Sequence, residues 1–346
     1  MALTDVLVAR AGETRVRRSS RSTVWTSTGL VAVVAVLAYL PYVAYTTVTD
    51  TLVTFLVLLT MASMWNLLAG YAGLVSVGQQ AYVGLGAYAV LQLSDWGVQP
   101  YLGVFLAAGV CALIALPTSL LAFRLRGDYF AVGTWVIAEV YRLCVVRVDS
   151  LGGGSGRSLT TLSGLDHVAR EAYTYWVALA VAVISLLGCY LLMRSRLGLS
   201  LTAVRDNETA AGSVGVDVRR AKRIVYLVSA AGCGAAGGLL LVSSLNVRPD
   251  SVFSVQWSAY MIFIVVIGGI GYVEGPLLGA IVFFALQQTL ANYGVWYMVL
   301  LGTIAIAAAV WLPRGLWGSF SDRYGVRLFP VGYLLTDPSG SAGGKR

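Results

Sequence analysis

The chain has 346 residues, of which 58% are hydrophobic and 12% charged, with 39 glycines spread through its apolar segments. A soluble domain carries about a quarter charged residues, so most of this chain belongs in lipid as one polytopic domain, with no long polar block left for a separate catalytic domain. The net charge of +8 does not point to nucleic acid, because nineteen of the 24 Lys and Arg fall in four places, Arg10 to Arg21, Arg124 with Arg126, Arg194 to Arg223 and Arg314 to Arg346, as the positive-inside bias of cytoplasmic loops requires.

Residues 1–24 are polar and basic and are expected to form a cytoplasmic tail. An apolar run from Ser27 to Thr47 follows. It is long enough for a full span and longer than the apolar core of a secretory signal, so an uncleaved first helix is expected. Further spans are expected at 50–69, 75–93, 98–123, 128–147, 173–193, 223–245, 254–272, 275–293 and 295–312. Ten spans return both termini to one side. With the N-terminus inside, all four basic clusters lie in the cytoplasm, and the external loops near Asp50, Asp95, 148–172 and 246–253 carry only Arg157, Arg170 and Arg248. The expected fold is all-α and polytopic, with about ten transmembrane or part-spanning helices. A transmembrane domain occupies 25–315, and the cytoplasmic tail 316–346 has a disordered composition after Pro330.

Two segments break this pattern. Gly70-Tyr-Ala-Gly73-Leu-Val-Ser76-Val-Gly78-Gln79-Gln80 and Gly268-Gly269-Ile-Gly271-Tyr-Val-Glu274-Gly275-Pro276 are too polar and glycine-rich for lipid-facing helix. Glycine inside a helix costs about 1 kcal/mol relative to alanine, and irregular backbone at membrane depth survives only inside protein or beside a water-filled cavity. Transporters place broken helices at their substrate pathways. Ser76, Gly78, Gln79, Gln80, Gly268, Gly269 and Gly271 are therefore candidates for the walls of a route. Tight turns and close helix packing are the alternative, for which Gly234xxxGly238 and Gly275xxxGly279 also qualify. Asn66, just before the first break, reads as an interhelical hydrogen-bonding residue that could also line the route.

Glu139 and Arg142 lie three residues apart on one helical face. An intramembrane carboxylate is costly and is paired or faces a cavity. Glu139 is thus either half of a structural pair near the outer end or a polar group on the route, with Thr134 and Tyr141 beside it. Glu274, near the inner interface, is expected to reach water. The run Leu151-Gly-Gly-Gly-Ser155-Gly156-Arg157 lacks the Lys-Ser/Thr ending of a phosphate loop and is expected to be an exposed flexible loop. Cys111, Cys144, Cys189 and Cys233 share no ligand spacing and read as small buried apolar residues. With the single His167 in a polar loop, no metal and no cofactor are expected.

The polar insert RSRLGLSLTAVRDNETAAGSVGVDVRRAKR, from Arg194 to Arg223, holds seven basic side chains between two apolar runs. That much charge must lie in water. Asp206 and Asn207 followed by Glu208-Thr209-Ala210-Ala211 and then Gly215 read as a short capped helix made to touch another protein.

Three stretches carry a family likeness: Trp65-Asn66-Leu67-Leu68-Ala69-Gly70-Tyr71-Ala72-Gly73-Leu74-Val75-Ser76-Val77-Gly78, Leu125-Arg126-Gly127-Asp128-Tyr129-Phe130-Ala131, and Arg205-Asp206-Asn207-Glu208-Thr209-Ala210-Ala211 through Gly215. The segment from Gly268 to Ala280 fits as well. Together they resemble the membrane subunit of a branched-chain amino acid ABC importer, of the LivM type, over about residues 50–315. Where relatives often have His-Ala after the Ser-Leu-Gly motif, this chain has Gln79-Gln80.

The resemblance implies a multi-pass permease in a prokaryotic inner (plasma) membrane. It also implies two cytoplasmic ATP-binding subunits, a second homologous permease and an extracytoplasmic solute-binding protein. Within the loop 194–222, residues 205–215 would be the coupling helix, with Arg205, Asp206, Asn207, Glu208, Ala210, Ala211 and Gly215 at the ATPase. The chain has no Walker motif and is read as a non-enzyme that moves a small polar solute, branched-chain amino acids first. Urea and short amide importers share this subunit type. An ion-coupled secondary transporter or channel would need more ionisable residues at mid-membrane, and a membrane enzyme would need His, Asp or Cys clustered at one cavity.

Overall fold

The computed structural model describes residues 15–17, 29, 32–43, 45–162, 164, 166–290, 295–312, 314–324 and 334–336. Most of the 1–24 tail and the end of the 316–346 tail lie outside them. The helices are α1 (Ala32–Tyr42), α2 (Thr46–Asn66), α3 (Gln80–Asp95), α4 (Pro100–Ala122), α5 (Asp128–Val146), α6 (His167–Arg194), α7 (Arg196–Asp206), α8 (Glu208–Ser213), α9 (Val218–Ser244), α10 (Pro249–Val252), α11 (Val255–Gly268), α12 (Gly275–Leu290), α13 (Val295–Trp311) and α14 (Gly315–Tyr324).

Among the described residues, seven stretches are long and apolar enough to cross a membrane: Thr46–Tyr71, Pro100–Ala122, Asp128–Val146, His167–Arg194, Val218–Ser244, Pro249–Gly268 and Val299–Ser321. Helices α1, α3 and α12 are shorter and take the places of the remaining expected spans. The fold is all-α and polytopic. The third expected span, 75–93, departs from a plain helix: its first residues are irregular, and α3 begins only at Gln80. Its 16 residues reach about 24 Å at 1.5 Å per residue, less than the hydrocarbon thickness of about 30 Å.

Helix α2 is apolar on every side, and such a helix belongs in the interior. It packs against α6, α9, α11 and α12. Helix α9 lies against α3 and α4 through small residues. An added Cβ at Gly86 would sit 2.0 Å from the Gly234 carbonyl oxygen, and one at Gly237 only 1.8 Å from that of Val83. Small residues let membrane helices approach to backbone contact, where packing and not the hydrophobic effect drives association. Gly234 and Gly279 do the same against Cys111 and the Ile264 carbonyl. Helices α4, α5 and α13 instead turn large apolar side chains outward, among them Leu113, Leu120, Trp135, Val136, Ile306 and Val310.

At one end of the bundle the loops are tied by acid–base and hydroxyl contacts. Arg157 pairs with Asp95 at 2.6 Å, the Tyr101 hydroxyl donates to the Arg170 carbonyl at 3.2 Å, and the short strand Arg157–Ser158 pairs with Asn246–Val247. The glycine run at 151–157 is therefore not the free loop its composition suggests. Leu159 and Leu162 are buried beneath it, and the Leu159 N–H donates to the Leu245 carbonyl at 2.8 Å. Near the termini, Arg15–Arg17 and Leu334–Thr336 form an antiparallel pair with Val16 opposite Leu335, which places the two terminal segments side by side.

Two further expectations change. Cys144 is exposed, while Cys111, Cys189 and Cys233 are buried, because Cys144 falls on the outward face of α5. Glu274 does not reach water but is buried. Its carbonyl accepts from the N–H groups of Leu277 and Leu278 and so begins α12, where a carboxylate meets the positive end of the helix dipole.

Candidate functional site

The first glycine-rich break starts where α2 loosens into a single π turn, Leu67–Tyr71, and ends its helical run at Gly73, φ +67°. Isolated π turns inside helices mark functional sites in many proteins. The chain then runs without helix into the bundle. Trp65 Nε1 donates to the Ser76 carbonyl at 2.7 Å, the Val77 N–H donates to Thr134 Oγ1 at 3.2 Å, and the Gly78 N–H donates to Ser76 Oγ at 3.2 Å. An added Cβ at Gly78 would lie 2.1 Å from the Thr134 carbonyl oxygen, so α5 closes tightly on this segment.

The N-terminus of α3 lies deep in the bundle, at the level of Ser229 in α9. That serine sits about 17 Å along its helix at 1.5 Å per residue. Gln79, Gln80 and Ser76 are all buried. Ser229 Oγ donates to the Met64 carbonyl at 2.9 Å and lies 3.4 Å from Gln79 Oε1. Ser258 Oγ donates to Gln80 Oε1. Gln79 Nε2 is buried without a hydrogen-bond partner among the described residues, an arrangement that costs about 1–3 kcal/mol. One turn along α3, the Tyr82 hydroxyl donates to that of Tyr226 at 2.9 Å, and Thr118 and Tyr141 hydroxyls meet at 2.6 Å. The result is a neutral patch of amides and hydroxyls at membrane depth, against the positive end of a helix.

Not every candidate joins that patch. Thr134 does, through Val77. Glu139, five residues on, is turned about 140° round the helix and stands exposed with Arg142, whose Nε donates to its Oε1 at 2.9 Å and whose Nη1 reaches Asp250 at 2.6 Å. It forms an ion triad on the outward face of α5, apart from Gln79 and Gln80. The second break is not beside Gln79 and Gln80 either. It meets the first break lower down, where Asn66 Nδ2 donates to the Tyr272 carbonyl at 2.8 Å and Oδ1 accepts from the Gly271 N–H at 2.9 Å. Gly268 and Gly269 are enclosed by backbone: a Cβ at Gly268 would meet the Gly275 carbonyl oxygen at 1.9 Å, and one at Gly269 (φ +127°) the Arg314 carbonyl oxygen at 3.0 Å. Close packing against α12 and α14 accounts for both glycines.

The polar insert forms a helix pair. Ser195 caps α7 by accepting from the Leu197 N–H at 3.2 Å, and Gly198, Leu201 and Val204 form its buried face. Asn207 is extended and its Oδ1 accepts from the Ala210 N–H at 3.0 Å, capping α8. Gly215, φ +87°, ends it, with the Val216 N–H donating back to the Ala211 carbonyl at 3.1 Å. Lys222 holds Glu208 at 2.6 Å. Ala211 is buried against the protein, so it does not offer itself to a partner. The exposed face is Glu208, Thr209, Ala210, Gly212, Ser213 and Val214, with Val214 the bare apolar residue at 78% exposure. Arg205 is exposed as well, but its Nη1 reaches back and donates to the Gly70 carbonyl at 2.9 Å.

Sequence reasoning missed Ser229, Ser258, Tyr82 and Tyr226. Each is a hydroxyl in an apolar helix outside the breaks, Tyr82 only two residues past the first, and only its placement beside Gln79 and Gln80 or across α3 and α9 distinguishes it from an ordinary helix serine or core tyrosine.

The family described as branched-chain amino acid transport system / permease component matches residues 47–309. The chain is 30% identical over 283 residues to the high-affinity branched-chain amino acid transport system permease protein LivM of Escherichia coli (strain K12), over 72% of this chain and 65% of that one. It thus spans somewhat less than two thirds of that relative's length. A probable branched-chain amino acid transport permease protein LivM of Methanocaldococcus jannaschii is 23% identical over 66% of this chain and 76% of its own. The fructose import permease protein FruG of Bifidobacterium longum is 24% identical over 72% and 76%. No solved structure matches.

Proposed function

The chain belongs to the branched-chain amino acid transport system permease family, and on that premise we propose that it is a membrane permease subunit of an ABC importer for branched-chain amino acids. The observation that carries the reading is the capped helix α8, set outside the apolar bundle with its face from Glu208 to Val214 open. In this reading that face docks on one of two cytoplasmic ATP-binding subunits. A second homologous permease lies alongside, and an external solute-binding protein delivers the solute. The termini and the insert are cytoplasmic in a prokaryotic inner membrane, in line with the basic clusters.

The route runs past Ser76, Gly78, Gln79, Gln80 and Thr134, with Ser229 and Ser258 added. Neutral amides and hydroxyls suit a zwitterion, whose carboxylate is favoured at the N-terminus of α3. The unpartnered Gln79 Nε2 is a donor held ready for a passing acceptor. The same neutral donors suit a sugar, and the likeness to a fructose import permease makes that the second reading. ATP-dependent uptake of leucine and of fructose into proteoliposomes holding the whole complex, each competed with the other, separates the two. Leucine uptake that unlabelled leucine abolishes and fructose leaves unchanged is the expected result.

Val214→Asp places a charge in the docking face without touching the buried side of α8. An unpaired buried charge costs about 3–5 kcal/mol, so affinity for the ATPase is expected to fall by about two to four orders of magnitude. The variant should elute as a folded permease that no longer retains the ATPase on co-purification. Undiminished retention would move the contact off α8.

The orientation is checked with single cysteines at Ser155 and at Ser213, both exposed, in a variant lacking Cys111, Cys144, Cys189 and Cys233. In intact cells an impermeant maleimide should label the first and not the second. Labelling of both would break the assignment of the insert to the cytoplasm.

A further inference from the structure

Arg205 belongs by sequence to the insert, among residues expected to face a partner, and its side chain stays 40% exposed, yet its guanidinium reaches back to the bundle. Nη1 donates to the Gly70 carbonyl at 2.9 Å. The same nitrogen is 3.3 Å from where a Cβ would stand on Gly271, and the Arg205 side-chain stem lies 3.5 Å from the corresponding position on Gly73. The guanidinium therefore sits between the first glycine break and the second. The Gly70 carbonyl is in the π turn, where the intrahelical ladder is disturbed. A carbonyl there is open to an outside donor, and a charged donor makes the stronger bond.

The two breaks are themselves joined at this level. Asn66, four residues before Gly70, holds the Gly271 N–H and the Tyr272 carbonyl. Gly70 and Gly271 touch so closely that a Cβ on Gly70 would lie 2.6 Å from the Gly271 nitrogen. On its outer side, Arg205 Nε donates to Asp206 Oδ1 at 3.1 Å, one residue before Asn207, the cap of α8. An unbroken chain of hydrogen bonds and peptide links thus runs from the cap of the exposed helix, through Arg205, to Gly70, and by Asn66 to Gly271 and Tyr272.

We propose that Arg205 is a positioning residue that transmits displacement of the α7–α8 insert to both glycine breaks, by holding the Gly70 carbonyl against the Gly271 turn. This rests on the reading of α8 as the ATPase contact. When the insert moves, the Gly70 carbonyl moves with the guanidinium. The irregular segment 73–79 starts three residues beyond it, so the position of Gln79 and Gln80 at the head of α3 follows. Asn66 makes the 268–275 turn move as one with the first break. Left-handed backbone is concentrated at this junction: Gly73, Gly269 and Gly271 all have positive φ, a conformation that a side chain would strain.

The test uses the complete complex, with both permeases, both ATPases and the binding protein, reconstituted in nanodiscs and proteoliposomes. Arg205→Ala removes the bond, Arg205→Lys keeps a charged donor of similar length, and Asp206→Asn leaves the inward contact intact. Hydrogen exchange is followed at 70–80, 208–214 and 268–275 with and without ATP and vanadate, a readout that needs no knowledge of the solute. In the wild type all three segments are expected to change on trapping. In Arg205→Ala the change at 208–214 should persist while those at 70–80 and 268–275 fade, and leucine taken up per ATP hydrolysed should drop about ten- to a hundred-fold, the scale of a lost hydrogen bond to a charged donor. Arg205→Lys should recover part of both, and Asp206→Asn should match the wild type. Nucleotide-dependent protection of all three segments in Arg205→Ala would overturn the proposal. Absence of any response at 208–214 in the wild type would overturn the ATPase reading beneath it, which is a different failure. If Arg205→Ala does not assemble, the same comparison is made on Arg205→Met, which keeps the length of the stem and removes the donor, and where wild-type exchange and wild-type uptake per ATP would equally refute it.

Discussion

Asn66→Leu is expected to lower the thermal midpoint of the detergent-purified permease by roughly 5 to 15 °C, taking about 2–4 °C per kcal/mol for a large domain. Asn66 is buried and supplies both hydrogen bonds of the second break at this level, one to the Gly271 N–H and one to the Tyr272 carbonyl. Leucine has the same forked shape and is bulkier, so no cavity opens. What remains is a donor and an acceptor stripped of partners, at about 1–3 kcal/mol each. Such a sum is a large share of a stability of about 5–15 kcal/mol. Asn66→Asp separates the two bonds, because a carboxylate still accepts from Gly271 but sets an oxygen against the Tyr272 carbonyl. It should be destabilised as well. A midpoint unchanged in Asn66→Leu, read by size-exclusion after heating, would show that the breaks hold without this clamp.

Gly237→Leu is expected to abolish the folded protein outright. A Cβ there would lie 1.8 Å from the Val83 carbonyl oxygen, and that atom is backbone of α3, so no rotamer change can relieve the overlap. Helix α9 must retreat from α3, and with it the contacts of Gly234 to Cys111 and of Tyr226 to Tyr82. Overpacking costs about 1–3 kcal/mol where side chains can yield, and more where they cannot. Gly109 is the control, since a Cβ added to it meets nothing within 4 Å. Gly109→Leu should give a normal monodisperse peak, while Gly237→Leu should give aggregate or no protein. A normal peak from Gly237→Leu would mean that α3 and α9 are not packed as they stand.

Gly78 and Gly269 fall under the same physics. A Cβ on Gly78 strikes the Thr134 backbone, and Gly269 adopts φ +127°. Substituting either disturbs the fold before it reports on a route, so neither separates transport from folding.

The sequence by itself determined the membrane class, the positions of the helical spans and the place of the water-exposed insert, because transfer of apolar residues to lipid and exclusion of charge are local, additive effects readable in a window of about twenty residues. It also located both breaks, since glycine, glutamine and serine at membrane depth cannot be lipid-facing helix wherever they end up. The caps of α8 were legible for the same reason: Asn207 and Gly215 act on backbone groups within a few residues. Which way a side chain turns, and which distant segment it meets, was decided only by the tertiary structure. Ala211 is buried and Val214 exposed on one short helix; Glu139 faces out while Thr134 faces the break; Arg205 reaches back across the chain to Gly70. Composition is the same for each alternative. The outcome turns on the angle at which two helices cross and on whether a glycine lets them touch, quantities that belong to pairs of segments and are carried by no single one.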